Sequence, residues 1–292
     1  MSLKDWIKFI VLGLAWGSSF LWIKIAVGEV GPFTLVTYRL AFALLSLAAV
    51  LAWKRPAMPD LRRFLPVFAF LGVFNLALPF ILISAAEQFI PSGLAAVLNS
   101  TTPLFTILIA PLFLAEEKLT WARGLGLLTG FAGVVVLMSD QLEGGFGSHQ
   151  WGMLLMLGGT LAYAVGAVYA RRRTQGLTVE VQAAGQAVFA GLILAVAAPL
   201  VEPPFHLPQL GLTWLALAWL GVIGTCVGTL LFYSLLHSVG PTRTTLVTYL
   251  FPLVGVVLGV LFLQEPLGWR LFVGGGLIVS GVAAVNSVKL KG

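Results

Sequence analysis

The chain has 292 residues, 59% of them hydrophobic and only 10% charged, with a formal net charge of +6. A soluble domain carries about a quarter charged residues. This composition, with a mean hydropathy of +1.00, therefore excludes an ordinary soluble enzyme and points to an all-α polytopic membrane protein. The single cysteine, Cys226, excludes an internal disulfide and a Cys-rich metal site, and reads as a small packing residue.

Ten apolar segments of spanning length follow one another: Ile7–Val27, Phe33–Trp53, Phe64–Ala86, Leu94–Leu114, Trp121–Met138, Trp151–Ala170, Val181–Leu200, Leu212–Leu236, Thr244–Leu263 and Trp269–Val288. The first is too long for a signal-peptide core and no Ala-x-Ala site follows it, so it is expected to remain as a membrane helix. Only Ser139–Gln150 and Val201–Gly211 are long enough to be real loops, and neither could hold a catalytic domain. With the N-terminus placed inside, 14 of the 17 basic residues fall on the inner face. Lys24 and Arg270 fall outside, and Arg39 lies within a helix. The bias predicts that both termini are cytoplasmic. Basic residues confined to the ends of apolar runs are topology signals, so no nucleic-acid partner is expected.

The second half of the chain repeats the first. Glu117-Lys118-Leu119-Thr120-Trp121 returns as Glu265-Pro266-Leu267-Gly268-Trp269. The same spacing sets Gly126 on Gly274 and Gly133 on Gly281. Pro103 and Pro252 each lie about half-way along a helix, Trp16 parallels Tyr163, and Arg39 parallels Gln186. Each copy, expected over 1–143 and 144–292, holds five spans. An odd number requires the second copy to be inverted, a common plan for carriers with a midplane site.

The run Trp16-Gly17-Ser18-Ser19-Phe20, the pair Tyr38-Arg39, the prolines of the fourth and ninth segments and the Glu-x-Leu-x-Trp motif before the fifth and tenth together resemble the ten-helix EamA-type transporters. These belong to the drug/metabolite transporter superfamily. The resemblance covers nearly the whole chain. It implies a bacterial inner-membrane, multi-pass secondary transporter that exports amino acids or similar metabolites. The aromatic amino-acid exporters are one subgroup that the chain is similar to in size and layout. The partners implied are a small-molecule substrate and membrane lipid, with no cofactor or metal, and the chain is expected to act as a monomer.

Candidate site residues are polar groups at depth, where lipid offers no hydrogen bonds. Asn75, Pro79, Ile83 and Glu87 recur every four residues on one helix face, and their counterparts are Thr225, Thr229, Tyr233 and His237. The stripe is expected to look inward, either lining a cavity or bonding between helices. Pro103 and Pro252 are expected hinges, since neither can donate to the preceding turn. The freed carbonyls of Asn99 and Thr248, with Asn99, Thr102 and Tyr249, suit a ligand ammonium. Back-bonding of the hydroxyls within the helix is the competing reading. Trp16 and Tyr163 either stack on a substrate ring or fill the bundle core. Arg39 either takes a substrate carboxylate or forms a structural or gating pair with Glu87.

No other acid approaches a span, and Glu87 and His237 fall at opposite faces. The small four-helix relatives in the superfamily use a mid-membrane carboxylate for proton exchange. Its absence here favours neutral or zwitterionic cargo over a proton-coupled multidrug or cation exporter, the alternative reading. An intramembrane enzyme is less favoured still, because no metal-protease, nucleophile-elbow or phosphate-loop motif is present. Gly13/Gly17, Gly126/Gly130, Gly224/Gly228 and Gly255/Gly259 have the spacing of close helix contacts, expected within the chain.

Overall fold

A computed structural model describes residues 2–113, 121–139, 147–203, 207–239, 244 and 246–287. Among these, all regular structure is helical. The ten segments appear in order as α1 (Leu3–Val27), α2 (Pro32–Lys54), α3 (Leu61–Ala86), α4 (Ser92–Phe113) and α5 (Trp121–Met138). They continue as α6 (Ser148–Arg173), α7 (Val179–Val201), α8, α9 and α10 (Trp269–Ser287). α8 is built from Gly211–Ala218, Trp219–Val227 and Gly228–Val239. α9 joins a 3₁₀ turn, Leu246–Tyr249, to a helix, Leu250–Leu263. Seven of the ten are long and apolar enough to cross a membrane, and α5, α9 and α10 are shorter apolar helices. Large apolar side chains such as Leu45, Trp53, Trp121 and Leu261 face outward. Water would not tolerate that many, but lipid does.

Packing between the halves is antiparallel. Gly133 of α5 lies against the Gly274 carbonyl of α10, and Gly281 of α10 lies against the Gly126 carbonyl of α5. The number rises in one helix as it falls in the other, and each contact exchanges repeat-equivalent residues. α4 and α9 pair in the same sense, with Gly255 against Ala96 and Gly93 against Val256. So do α2 and α7, where Gly191 meets Leu44 and Lys54 bonds Glu180 at 2.7 Å. This is the packing an inverted repeat demands. The small-residue pairs serve contacts within the chain, as expected: Gly13 and Gly17 seat Leu250 and Val254, and Gly228 seats the Trp16 indole.

Two irregularities recur at matching places. α4 is broken at Ser100–Thr101, between Ser92–Asn99 and Thr102–Phe113. α9 changes from 3₁₀ to α-helix at Tyr249–Leu250, one turn before Pro252. Both breaks fall on the polar, proline-containing stretches singled out in the sequence. The second irregularity was not anticipated. α3 widens to a π-helix over Gly72–Ala77, and α8 does the same over Trp219–Val227. The Leu78 amide bonds the Val73 carbonyl, and the Gly228 amide bonds the Ile223 carbonyl. These two wide turns are repeat-equivalent. Pro79 alone does not explain them, because its counterpart is Thr229. Both sit where a glycine brings backbones together, Gly72 against the Gln186 carbonyl and Gly221 against the Arg39 carbonyl.

Candidate functional site

The two helix breaks touch each other. The Ser100 hydroxyl donates to the Thr248 carbonyl at 3.4 Å and to its own Ala96 carbonyl at 3.3 Å. Ser100 is the neighbour of Asn99, the counterpart of Thr248 when Pro103 is set on Pro252, so this contact lies beside the local two-fold relation between the halves. Beside it, the Thr101 hydroxyl donates to the Leu98 carbonyl at 2.7 Å and lies 3.3 Å from that of Thr160 on α6. The carbonyl of Asn99, expected to be freed by Pro103, accepts from the Thr102 hydroxyl at 2.8 Å. Here the back-bonding reading describes the contact, and the polar chain heals the proline gap locally. The amide oxygen of Asn99 differs, being buried without a hydrogen-bond partner among the described residues. Such an orphan acceptor in a low-dielectric interior costs free energy unless a donor arrives. Pro103, Tyr249 and Pro252 are half-buried around this junction.

The π-turns carry the second layer. Asn75 lies in the α3 π-turn, and its Nδ2 donates to Gln186 Oε1 of α7 at 3.0 Å. Thr225 lies in the α8 π-turn, bonds its own Leu220 carbonyl at 2.9 Å, and accepts from Arg39 Nε of α2 at 3.0 Å. Asn75 is the counterpart of Thr225, and Arg39 that of Gln186. The structure therefore holds a mirrored quartet, each bond crossing from one half to the other. Widening a helix turn offsets the i, i+4 ladder and leaves backbone carbonyls to find other donors. The Gly224 carbonyl accepts from Trp16 Nε1 at 2.8 Å. With its ring against Phe232 and Phe251, Trp16 is packed as a pin between α1, α8 and α9.

Other sequence candidates take definite places. Tyr163 is half-buried, with its ring 6.4 Å from Phe80 and its phenol within electrostatic range of Arg39. Tyr233 OH accepts from Gln182 Nε2 of α7 at 2.6 Å. Pro79 is buried, with its carbonyl beside Gly159 of α6, and Thr229 is half-buried just past the π-turn. The side chain of His237 lies outside the described residues. Arg39 and Glu87 are not brought together as an ion pair. Arg39 is 5% exposed, bonds Thr225 and places its guanidinium 3.5 Å from the Phe80 ring centre. Glu87 is fully buried, and neither carboxylate oxygen has a hydrogen-bond partner among the described residues. They lie within electrostatic range but do not touch. The aromatic face and the Thr225 hydroxyl satisfy the guanidinium instead.

Three glutamates escaped functional reading altogether because they lie at span ends. Each accepts backbone amides at the N-terminus of a helix in the opposite half. Glu29, after α1, accepts the amides of Gln209 and Leu210 ahead of α8. Glu202, after α7, accepts Phe33 and Thr34 of α2 at 2.9 Å each, and the Thr34 hydroxyl at 2.8 Å. Glu265, after α9, accepts Ser92 at 2.6 Å and Gly93 at 2.9 Å of α4. A left-handed residue, Gln264 with φ 54°, turns the chain so that Glu265 can reach. A carboxylate at a helix N-terminus satisfies orphan amides and complements the dipole. All three clamps sit at one face of the bundle, the face where α3 ends at Glu87. Lys24 closes the same face by donating to the Glu87 and Ile90 carbonyls. A cleft of about 270 Å³ opens there beside Pro91, His149, Glu265 and Arg270, away from the helix breaks. At the other face the halves meet through Lys54–Glu180.

A profile of the EamA-like transporter family matches residues 6–139 and 150–287, one copy in each half. Similar curated proteins include the uncharacterized inner membrane transporter YedA of Escherichia coli, 32% identical over 95% of this chain and 89% of that protein. A probable terminal-alkyne amino-acid exporter of Streptantibioticus cattleyicolor is 26% identical, over 94% of this chain and 90% of its own length. A solved crystal structure shares the fold with a TM-score of 0.68, at 23% identity over 97% of this chain and 96% of that one. The chain belongs to the EamA-like transporter family and is a multi-pass inner-membrane protein.

Proposed function

We propose that this EamA-like transporter exports amino acids, with large neutral and aromatic ones preferred, by alternating access between its two halves. The halves are taken as 1–143 and 144–292, the second inverted, with both termini cytoplasmic and the glutamate clamps at the outer face. The observation that carries the reading is the junction of the broken helices. Ser100 meets Thr248 there, and the buried Asn99 amide oxygen waits for a donor. An ammonium is the donor that an amino acid would bring. In this reading Thr102, Tyr249 and Tyr163 take part in binding, Arg39 supplies the charge for a carboxylate, and Pro103 and Pro252 take up the bend. Asn75, Pro79, Thr229 and Tyr233 shape the wall, and Trp16 pins it. The named exporter among the relatives supports the amino-acid class. The Arg39–Glu87 pair is read as a gate rather than an ion pair.

Rocking of rigid halves about a fixed site is the general behaviour of inverted-repeat carriers. Counterflow of labelled tryptophan, phenylalanine and leucine into proteoliposomes tests the proposal. Exchange that Asn99→Ala abolishes in a folded protein is the expected result. Absence of exchange for every amino acid, with pH-driven uptake of a lipophilic cation, would overturn it. Labelling of a tag at Gly292 from the periplasmic side would overturn the orientation.

A further inference from the structure

Glu87 is the most anomalous group in the bundle. It ends α3 at the clamp face, is 0% exposed, and both carboxylate oxygens are buried without a hydrogen-bond partner among the described residues. Two hydroxyls in the same part of the chain, Ser84 Oγ and Ser92 Oγ, are also buried without a partner among the described residues. The charged groups that face it from the packed elements are each engaged elsewhere. Lys24 of α1 gives its ammonium to the Glu87 and Ile90 carbonyls. Arg39 of α2 bonds Thr225 and lies over Phe80. Glu265, beyond α9, caps α4 with both oxygens. From α6 come Tyr163, near Arg39, and His149, which lines the adjacent cleft with Pro91 and Glu265.

An ionised carboxylate out of water needs direct donors, and distant cations do not replace them. The neutral acid loses far less on burial. A proton also needs neither a cavity nor several oxygen ligands, both of which a metal cation requires. The face that buries Glu87 is the one the three glutamate clamps hold shut. We propose that Glu87 is a proton-binding site, filled when the outer face closes over it and emptied when that face opens. The proposal takes its sidedness from the transporter reading above. On opening, the carboxyl O–H bond breaks, its electron pair stays on the oxygen, and the proton passes to outer water. Closure reverses the step. Because the proton enters and leaves on the same side, it tunes the gate without driving uphill transport. Raising the outer pH favours the open face, by up to about tenfold in the open-to-closed ratio per pH unit for one proton.

The test combines two readouts on the purified full chain. Infrared difference spectra of wild type minus Glu87→Gln at neutral pH should contain a protonated-carboxyl C=O band. Glu87→Asp should retain that band, which controls for folding. Tryptophan counterflow should depend on outer pH in wild type and Glu87→Asp and be flat in Glu87→Gln. A difference spectrum with only a carboxylate band overturns the proposal. So does a pH dependence that Glu87→Gln leaves intact, or tryptophan accumulation driven by a pH gradient that Glu87→Gln abolishes. If the acid band is present and tryptophan does not exchange, the proton site stands and the substrate assignment falls.

Discussion

Glu202→Ala removes one clamp and should loosen α2 locally at its outer end. Its carboxylate accepts three hydrogen bonds, from the Phe33 amide, the Thr34 amide and the Thr34 hydroxyl. Glu202 is only half-buried, so water replaces part of what is lost. What remains is a helix cap, at about 0.5–2 kcal/mol, plus the charge–dipole contribution, at about 0.3–1 kcal/mol. A total near 2 kcal/mol corresponds to about a 30-fold shift in a local opening equilibrium. Amide hydrogen exchange in detergent reads this directly. Phe33 and Thr34 should exchange about 30-fold faster, while Ser92 and Gly93, held by Glu265, keep their wild-type protection. Unchanged protection at Phe33 and Thr34 in a folded variant would refute the clamp. Equal acceleration at Ser92 and Gly93 would show general destabilisation instead.

Other expectations follow from the same contacts. Gly281→Leu inserts a side chain against the Gly126 carbonyl, which cannot move aside as a flexible side chain would. Overpacking of about 3 kcal/mol or more is expected, read as a lowered melting temperature and loss of monodispersity in size-exclusion chromatography. Thr225→Val leaves Arg39 without its Nε acceptor and should cost about 1–3 kcal/mol in thermal stability. Asn75→Leu breaks only the neutral bond of the quartet, that to Gln186, and should cost less, so the reverse order would contradict the quartet's assignment. Cysteines at Ser100 and Thr248, in a Cys226→Ala background, should be joined by a short bis-methanethiosulfonate linker, which forms a reducible disulfide with each thiol. The joined protein should lose counterflow and regain it on reduction, and undiminished exchange would show that the junction does not move.

Much of this architecture could be read from the chain. Spanning length, the Glu-x-Leu-x-Trp repeat and the glycine spacing placed ten helices in two copies, and polar residues beside a proline marked where α4 and α9 break. These features are written in local composition. The π-turns are not, because what widens α3 and α8 is contact with α7 and α2, more than a hundred residues away. The same holds for side-chain partners. Arg39 was paired with Glu87 by nearness along the topology, yet an aromatic face and a threonine in the other half satisfy it. The Thr102 hydroxyl, which the sequence offers either to a ligand or to its own helix, closes on the Asn99 carbonyl, a local competition that sequence alone leaves open. The glutamate clamps had a signal that went unused. An acid just past one span, close to the bare amides that begin another, is a cap in waiting.

The quartet at the π-turns has a consequence for energetics that its symmetry conceals. In an inverted repeat, the two end states arise when the halves exchange conformations. Were the copies chemically identical, those states would be degenerate and the carrier would rest equally in each. Here the mirrored bonds are unlike: Asn75 meets a neutral Gln186, whereas Thr225 meets the cationic Arg39. Exchanging conformations moves a charge from one environment to another with no compensating move on the other side. Together with the other positions at which the copies differ, this pair would lift the degeneracy and give the proposed carrier a preferred resting side. Making the pairs alike, with Arg39→Gln and Thr225→Asn together, is the change that would bring the two states back toward balance.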